Sequence, residues 1–399
     1  MTNQTNVRKA GAPQGWTLVL INQLPAMAIA SLMPVLPTLF EHFANVPNKD
    51  VLVPMLITAP GICIALLAPF AGLIVDKYGR RKLLVTFVLL YGIGGILPFF
   101  IDGFGLVFTG RLLLGIGEAF VLVIMNSLLG DYFDQSGRSK WLTIQGIVGP
   151  VAGAGLLVLS GHLANMGWNY PFLVYGIAII MAFFAWLFLF EPSTKVADTE
   201  PIAEESKGFP YKTVAIVALS TLFIATLYFV YTIHFSRVLD EMGIKDKIKL
   251  GNASAIASFG VPVGALIYRL VYKRPAWQQI ALVFLLFAIG LSVIGFAKNV
   301  NTAIAGAWIQ QLGAGMTIPV LIGWALHVIP VEYRGRGMGF WTSGFFLGQF
   351  VNPVYVSLVK NTTGSLGAAF VTTGIICLSI ALLLIIYNIA TSRKKVSLT

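Results

Sequence analysis

The chain has 399 residues, of which 57% fall among Ala, Val, Ile, Leu, Met, Phe, Trp, Tyr and Cys, with 11% charged and a mean hydropathy of +0.83. So little charge cannot cover a soluble globule, whose charged share is about 25%, and so much apolar content cannot remain an open disordered chain. The sequence describes an integral membrane protein, and its net charge of +11 resides mostly in short loops, so topology explains it and no nucleic-acid partner is expected.

A hydrocarbon core of about 30 Å needs about 20 mostly apolar residues per helix. Twelve such stretches are expected, near 16–40, 51–75, 83–101, 104–130, 141–163, 171–190, 212–235, 251–272, 277–297, 301–329, 338–359 and 366–390. They are too long for barrel strands and lack apolar–polar alternation, so an all-α membrane fold is expected. Arg8, Lys9 and the Ala26-Met27-Ala28 segment imitate a secretory signal peptide, but the apolar run continues to Phe40 and reads as a retained first helix. Cys63 and Cys377 lie inside spans and read as buried hydrophobes, implying neither a disulfide nor a metal site.

With an even number of spans the termini share a side. Lys77, Arg80, Arg81, Lys82, Arg138, Lys140, Lys273, Arg274, Arg334 and Arg336 all fall in loops on that side, so both termini are expected in the cytoplasm. The segment 191–211, with Glu191, Pro192, Asp198, Glu200, Pro201, Glu204, Glu205 and Gly208, reads as a cytoplasmic linker between a six-helix half at 1–190 and another at 212–399, which ends in a short basic tail. A shift of 198 positions sets Gly115 on Gly313, Gly117 on Gly315, Arg138 on Arg336 and Gly146 on Gly344. Repeated halves mark many transporter folds, with the substrate site between them.

Four segments resemble the major facilitator superfamily of secondary transporters. Gly72-Leu-Ile-Val-Asp76-Lys77-Tyr78-Gly79-Arg80-Arg81-Lys82 is close to its loop signature, and Arg111-Leu-Leu-Leu-Gly115-Ile-Gly117-Glu118 is similar to its fourth-helix segment. Gly146-Ile-Val-Gly149-Pro150-Val-Ala-Gly153 resembles the fifth-helix motif of the drug:proton antiporter branch, and Gly167-Trp168-Asn169-Tyr170-Pro171-Phe172 matches a common sixth-helix opening. Departures are Leu114 and Glu118, where many antiporters carry a glutamine and a small residue, and Tyr268 in place of the second-half loop aspartate. The resemblance implies twelve transmembrane helices as two six-helix repeats around a central cavity. It also implies alternating access, and Gly72, Asp76, Gly79, Arg80 and Arg81 as a gating loop that latches across to the facing half. A compact 399-residue transporter without targeting tails is expected in a bacterial inner (plasma) membrane. Plain topological anchoring is the alternative for those basic residues.

Of the sixteen acidic residues, Glu118 alone is expected deep within a span. A charge there costs at least about 2.5–3.5 kcal/mol, so Glu118 and Arg111 need a partner, a cavity or a proton. Seven residues is nearly two helical turns, placing both on one helix face about 10 Å apart. Glu118 is the candidate proton-coupling site, with Arg111 as its electrostatic modulator or an anion contact. The alternative is that polar groups on neighbouring helices satisfy both. In the fifth-helix motif, Gly146, Gly149, Pro150 and Gly153 predict a bend and close small-residue packing. Asn22, Gln23, Gln145, Tyr228, Tyr231, Gln310, Gln311, Gln349 and Asn352 are candidate cavity residues, or else interhelical glue worth about 0.6–2 kcal/mol each. His42, His162 and His234 are expected toward the outer side. His327, toward the inner side, is either a second proton site or an interfacial histidine.

No paired acid and histidine, phosphate cradle or metal-ligand cluster points to an enzyme, so no catalytic residue, metal or cofactor is expected beyond a coupling proton. The function expected is a proton-coupled exporter of small amphiphilic compounds, as a monomer in the lipid bilayer. The alternative is an importer or facilitator of a small polar metabolite or organic anion.

Overall fold

The computed structural model describes residues 10–192 and 208–396. Twelve helical spans follow one another: α1 (Ala12–His42), α2 (Lys49–Tyr78), α3 (Arg80–Phe100), α4 (Phe104–Tyr132), α5 (Gln135–Met166), α6 (Tyr170–Phe188), α7 (Tyr211–Glu241), α8 (Lys247–Val271), α9 (Ala276–Phe296), α10 (Val300–Val328), α11 (Arg334–Thr363) and α12 (Leu366–Val396). Among the described residues, eleven are long and apolar enough to cross a membrane by length and composition. The other, α11, has 30 residues and the necessary reach, but glycines and the buried Gln349, Asn352 and Ser357 dilute its apolar run. Those polar side chains face protein, where they are tolerated. Of the linker expected at 191–211, residues 193–207 lie outside the described residues.

The packing repeats with a step of six helices. α3 packs on α4 and α6, and α2 on α4; correspondingly α9 packs on α10 and α12, and α8 on α10. The two sets meet where α2 packs on α11, α5 on α8, and the last turns of α1 on α7. Glycines permit the closest approaches. A Cβ on Gly94 would lie 2.8 Å from Gly110 O, and one on Gly306 would lie 2.9 Å from Gly290 O. These paired crossings are 196 positions apart, and they correct the register expected from glycine matching. A shift of 198 pairs Gly115, which rests on Pro60 of α2, with Gly313, which rests on Phe287 of α9. Gly313 is instead the counterpart of Gly117, which meets Phe87 O and Tyr91 of α3. Two residues turn a helix by about 200°, so the slip puts the wrong face on the wrong neighbour.

α1 is interrupted. Its pieces are Ala12–Ile21, Leu24–Ala30, the tight turn Met33–Val35 and Leu36–His42. Pro25, Pro34 and Pro37 each withhold an N–H, so carbonyls along this helix lose their usual donors. α2 contains Pro54, Pro60 and Pro69 and stays continuous.

Candidate functional site

The interruption of α1 and a proline within the continuous α2 create the surroundings of Arg111. Pro60 cannot donate to Leu56 O, and the Leu32 N–H turns to Ile29 O, leaving Ala28 O without its helical donor. Arg111 of α4 fills both gaps: Nε donates to Leu56 O and Nη2 to Ala28 O, each at 2.7 Å. The Tyr175 hydroxyl of α6 also donates to Ala28 O at 3.1 Å, and its ring lies 5.2 Å from the guanidinium carbon. Tyr91 of α3 donates to Leu24 O at 2.6 Å. Arg111 is fully buried, and Nη1 makes no hydrogen bond. Its charge is thereby held by backbone dipoles and an aromatic face.

Glu118 lies two turns along α4, 2% exposed, and its buried Oε2 has no hydrogen-bond partner. Arg111, Tyr91 and Cys63 are within electrostatic reach, yet none donates a hydrogen bond to that oxygen. The structure thus brings the two ionisable residues into one neighbourhood and satisfies them unequally. Arg111 is braced on α1 and α2, whereas Glu118 keeps an unused acceptor.

The other candidate residues are dispersed. Gln23 donates to Val19 O, and its Oε1 faces Gly149 of α5. Asn22 and Gln145 are half-buried. Tyr228 packs between Phe287 and Phe345. The backbone and Cβ of Gln310 sit against Gly290 of α9, and Gln311 Cβ sits against Gly260 of α8, so these two side chains leave α10 toward its neighbours in the same half. Gln349 lies beside Gly61 where α11 crosses α2. Asn352 donates to Thr226 O at 2.7 Å, while Tyr231 is buried with its hydroxyl unpartnered.

The α5 motif differs from its expected packing. A Cβ on Gly146 or Gly153 would meet nothing within 4 Å, so those glycines face open space, and Pro150 is half-buried. The close approach of α5 lies nearer its C-terminal end, where a Cβ on Gly161 would lie 2.7 Å from Lys247 O and one on Gly251 would lie 2.6 Å from Leu157 O. Along the opposite seam, Ser343 of α11 donates at 2.7 Å to Ala65 O, a carbonyl that Pro69 cannot serve.

The gating loop turns tightly and is held in part by contacts within its own half. Gly79 adopts a φ of +87°, a turn that favours glycine. Glu191 caps α3, accepting from Arg80 N at 2.6 Å and Arg81 N at 2.9 Å. Arg80 pairs with Asp131, and Arg81 donates to Trp186 O at 2.5 Å. These contacts join α3 to the ends of α4 and α6; the Asp76 side chain lies outside the described residues. A Cβ on Gly72 would meet nothing within 4 Å. Asp131 and Tyr175 are residues the sequence reading missed, and Glu191 was read only as part of the linker. An acidic residue just past an apolar span was the available signal for Glu191, and prolines inside spans were the signal for the freed carbonyls.

The sequence matches the family model of the Major Facilitator Superfamily over residues 18–287 and 275–398. It is 28% identical over 185 residues to the class B tetracycline resistance protein of Escherichia coli, covering 45% of each chain, so the chain spans about half the length of that relative. It is 23% identical over 384 residues to the bacillibactin exporter of Bacillus subtilis, covering 91% of this chain and 93% of the other. Among solved structures, the nucleoside transporter NupG superposes with a TM-score of 0.75 at 11% identity, over 94% of this chain and 99% of that one. A match that covers both sets of six helices, on a fold shared with solved transporters, places this multi-pass membrane protein in the Major Facilitator Superfamily of transporters, not among enzymes.

Proposed function

We propose that this transporter is a proton-coupled exporter of small amphiphilic compounds that works by alternating access. Glu118 is the proton carrier, and Arg111 braces the helices around it. The observation that carries this reading is the buried Glu118 carboxyl, 2% exposed with Oε2 unpartnered. An embedded ionisable group with spare hydrogen-bonding capacity exchanges a proton only when its site opens to water, which ties protonation to conformation. The likeness to tetracycline resistance proteins and to an exporter of bacillibactin supports outward movement of amphiphilic substrates. In the same proposal, residues 1–190 and 212–399 form the two moving halves, joined by the 191–211 linker. Both termini lie in the cytoplasm of a bacterial cell, and the transporter acts as a monomer.

The deciding experiment is proton movement in proteoliposomes containing a pH dye, with wild type compared with Glu118→Gln. Lipophilic cations, neutral amphiphiles, sugars and organic anions serve as challenges. An amphiphile that moves protons in wild type but not in the variant is the expected result. Equal signals in both would remove Glu118 from the coupling. Labelled-substrate uptake with no proton signal in either protein would favour a facilitator of a polar metabolite or organic anion.

A further inference from the structure

The end of the bundle bearing the α1–α2 and α7–α8 loops is closed by an ionic layer. Asp50 at the start of α2 meets Arg237 of α7 at 2.8 Å and Lys360 of α11 at 3.3 Å. Arg237 also reaches Glu241 at 3.5 Å, and its guanidinium carbon lies 3.6 Å from the centre of the Phe40 ring of α1. The Ser236 hydroxyl of α7 donates to Met33 O of α1 at 2.5 Å, filling the gap left by Pro37. Both halves of the transporter contribute to this closure.

One turn beneath the ionic layer lies His234, 2% exposed, with neither ring nitrogen hydrogen-bonded. Asn352 of α11 lies beside the ring, its orientation fixed by the bond from Nδ2 to Thr226 O. Asn352 Oδ1, Gln349 Oε1, Tyr231 Oη and Thr58 Oγ1 are also buried without partners. They sit on the same three helices as the ionic layer. Orphaned polar atoms concentrated at one seam are costly when the seam is closed, and water can satisfy them when it parts. The ionisable groups that bear on His234 are Arg237 of its own helix, Asp50 of α2 and Lys360 of α11, with Tyr231 one turn below.

We propose that His234 is a second proton-binding site, on the half opposite Glu118, and that a proton taken there opens the end of the transporter closed by Asp50, Arg237 and Lys360. This extends the proton-coupled reading above. A neutral imidazole fits the dry seam. An imidazolium adds a third cation beside Arg237 and Lys360, where Asp50 is the facing anion, so the closed arrangement loses its balance and water enters. The site takes a proton from the side of the membrane that this end faces.

The test uses Thr58→Cys, a buried position on α2 one turn from Gly61, where α11 crosses, in membranes treated with an impermeant maleimide from that side; the parent chain with its buried Cys63 and Cys377 sets the background. Each rate is expressed relative to that of a free thiol with the same reagent at the same pH, because only the thiolate reacts and its fraction falls with pH. Lowering the pH on that side from about 8 to about 5.5 spans ordinary imidazole titration and is expected to raise this relative labelling rate about five- to tenfold. In His234→Asn the rate stays flat, and in His234→Arg it is high throughout. Glu118→Gln retains the pH response, so a failure of proton-coupled export at Glu118 is distinguishable from a failure here. The proposal is overturned if the response survives in folded His234→Asn, or if the relative labelling rate with His234 in place does not rise as the pH falls.

Discussion

If Arg111 supports the structure by serving a carbonyl that Pro60 leaves open, restoring the missing backbone donor must change what Arg111 is worth. Pro60→Ala supplies an N–H to Leu56 O, the same oxygen that Arg111 Nε reaches at 2.7 Å. The carbonyl has two lone pairs and accepts both donors, so Pro60→Ala alone is mild. Arg111→Met alone strands Leu56 O in a dry site, a penalty of about 1–3 kcal/mol, while Ala28 O keeps Tyr175 as a donor. It also relieves the expense of burying a guanidinium, so the sign of the single substitution is not diagnostic. The coupling is. Arg111→Met should destabilise by about 1–3 kcal/mol less in the Pro60→Ala background than alone. Apparent melting in detergent of the four proteins measures it, at about 2–4 °C per kcal/mol if the first six helices melt as one unit. Additivity within about 0.5 kcal/mol would refute the brace.

Two further outcomes follow from the same geometry. Gly161→Val places side-chain atoms against Lys247 O, which a Cβ alone meets at 2.7 Å, and should cost about 1–3 kcal/mol. Gly146→Ala meets nothing within 4 Å and should be neutral or stabilise by up to about 1 kcal/mol. Melting of the two variants checks both, and equal losses would contradict the packing described. At the loop end, His42 Nε2 lies 2.9 Å from Asp102 and stacks on Trp168 with ring centres 4.0 Å apart. The hydrogen bond with His42 holds the Asp102 carboxyl below its ordinary range. Its contribution is therefore present above about pH 4 and fades as the pH falls through the lowered value. His42→Gln should move the acid change in Trp168 fluorescence to higher pH; an unmoved midpoint would dissociate Asp102 from His42.

The spans, their number and the Arg111–Glu118 pair were legible because each depends on composition along one helix. What Arg111 binds was not, since its partners are backbone oxygens whose availability depends on which helices approach α4. The glycine repeat was visible, but its register was not. In a helix flanked by protein on most sides, Gly115 and Gly117 look alike until one is found on Pro60 and the other on Phe87. Gln310 and Gln311 face different helices for the same reason: two adjacent polar residues cannot share a face. The gating-loop residues were recognisable by type, while Glu191 and Asp131, which hold Arg80 and Arg81, come from segments distant in the chain.

The interrupted first helix has a mechanical meaning. An unbroken helix swings as a rod, and bending it means breaking its own hydrogen bonds. In α1 the joints are held from outside, by Arg111, Tyr175, Ser160 and Ser236 donating to Ala28, Ser31 and Met33 carbonyls. Rotating one side chain releases or remakes such a joint without melting any turn. The helix behaves as a chain of short levers with removable pins. Three of the pins belong to the first half and Ser236 belongs to the second, so relative movement of the halves can flex α1 at one joint and leave the others fastened.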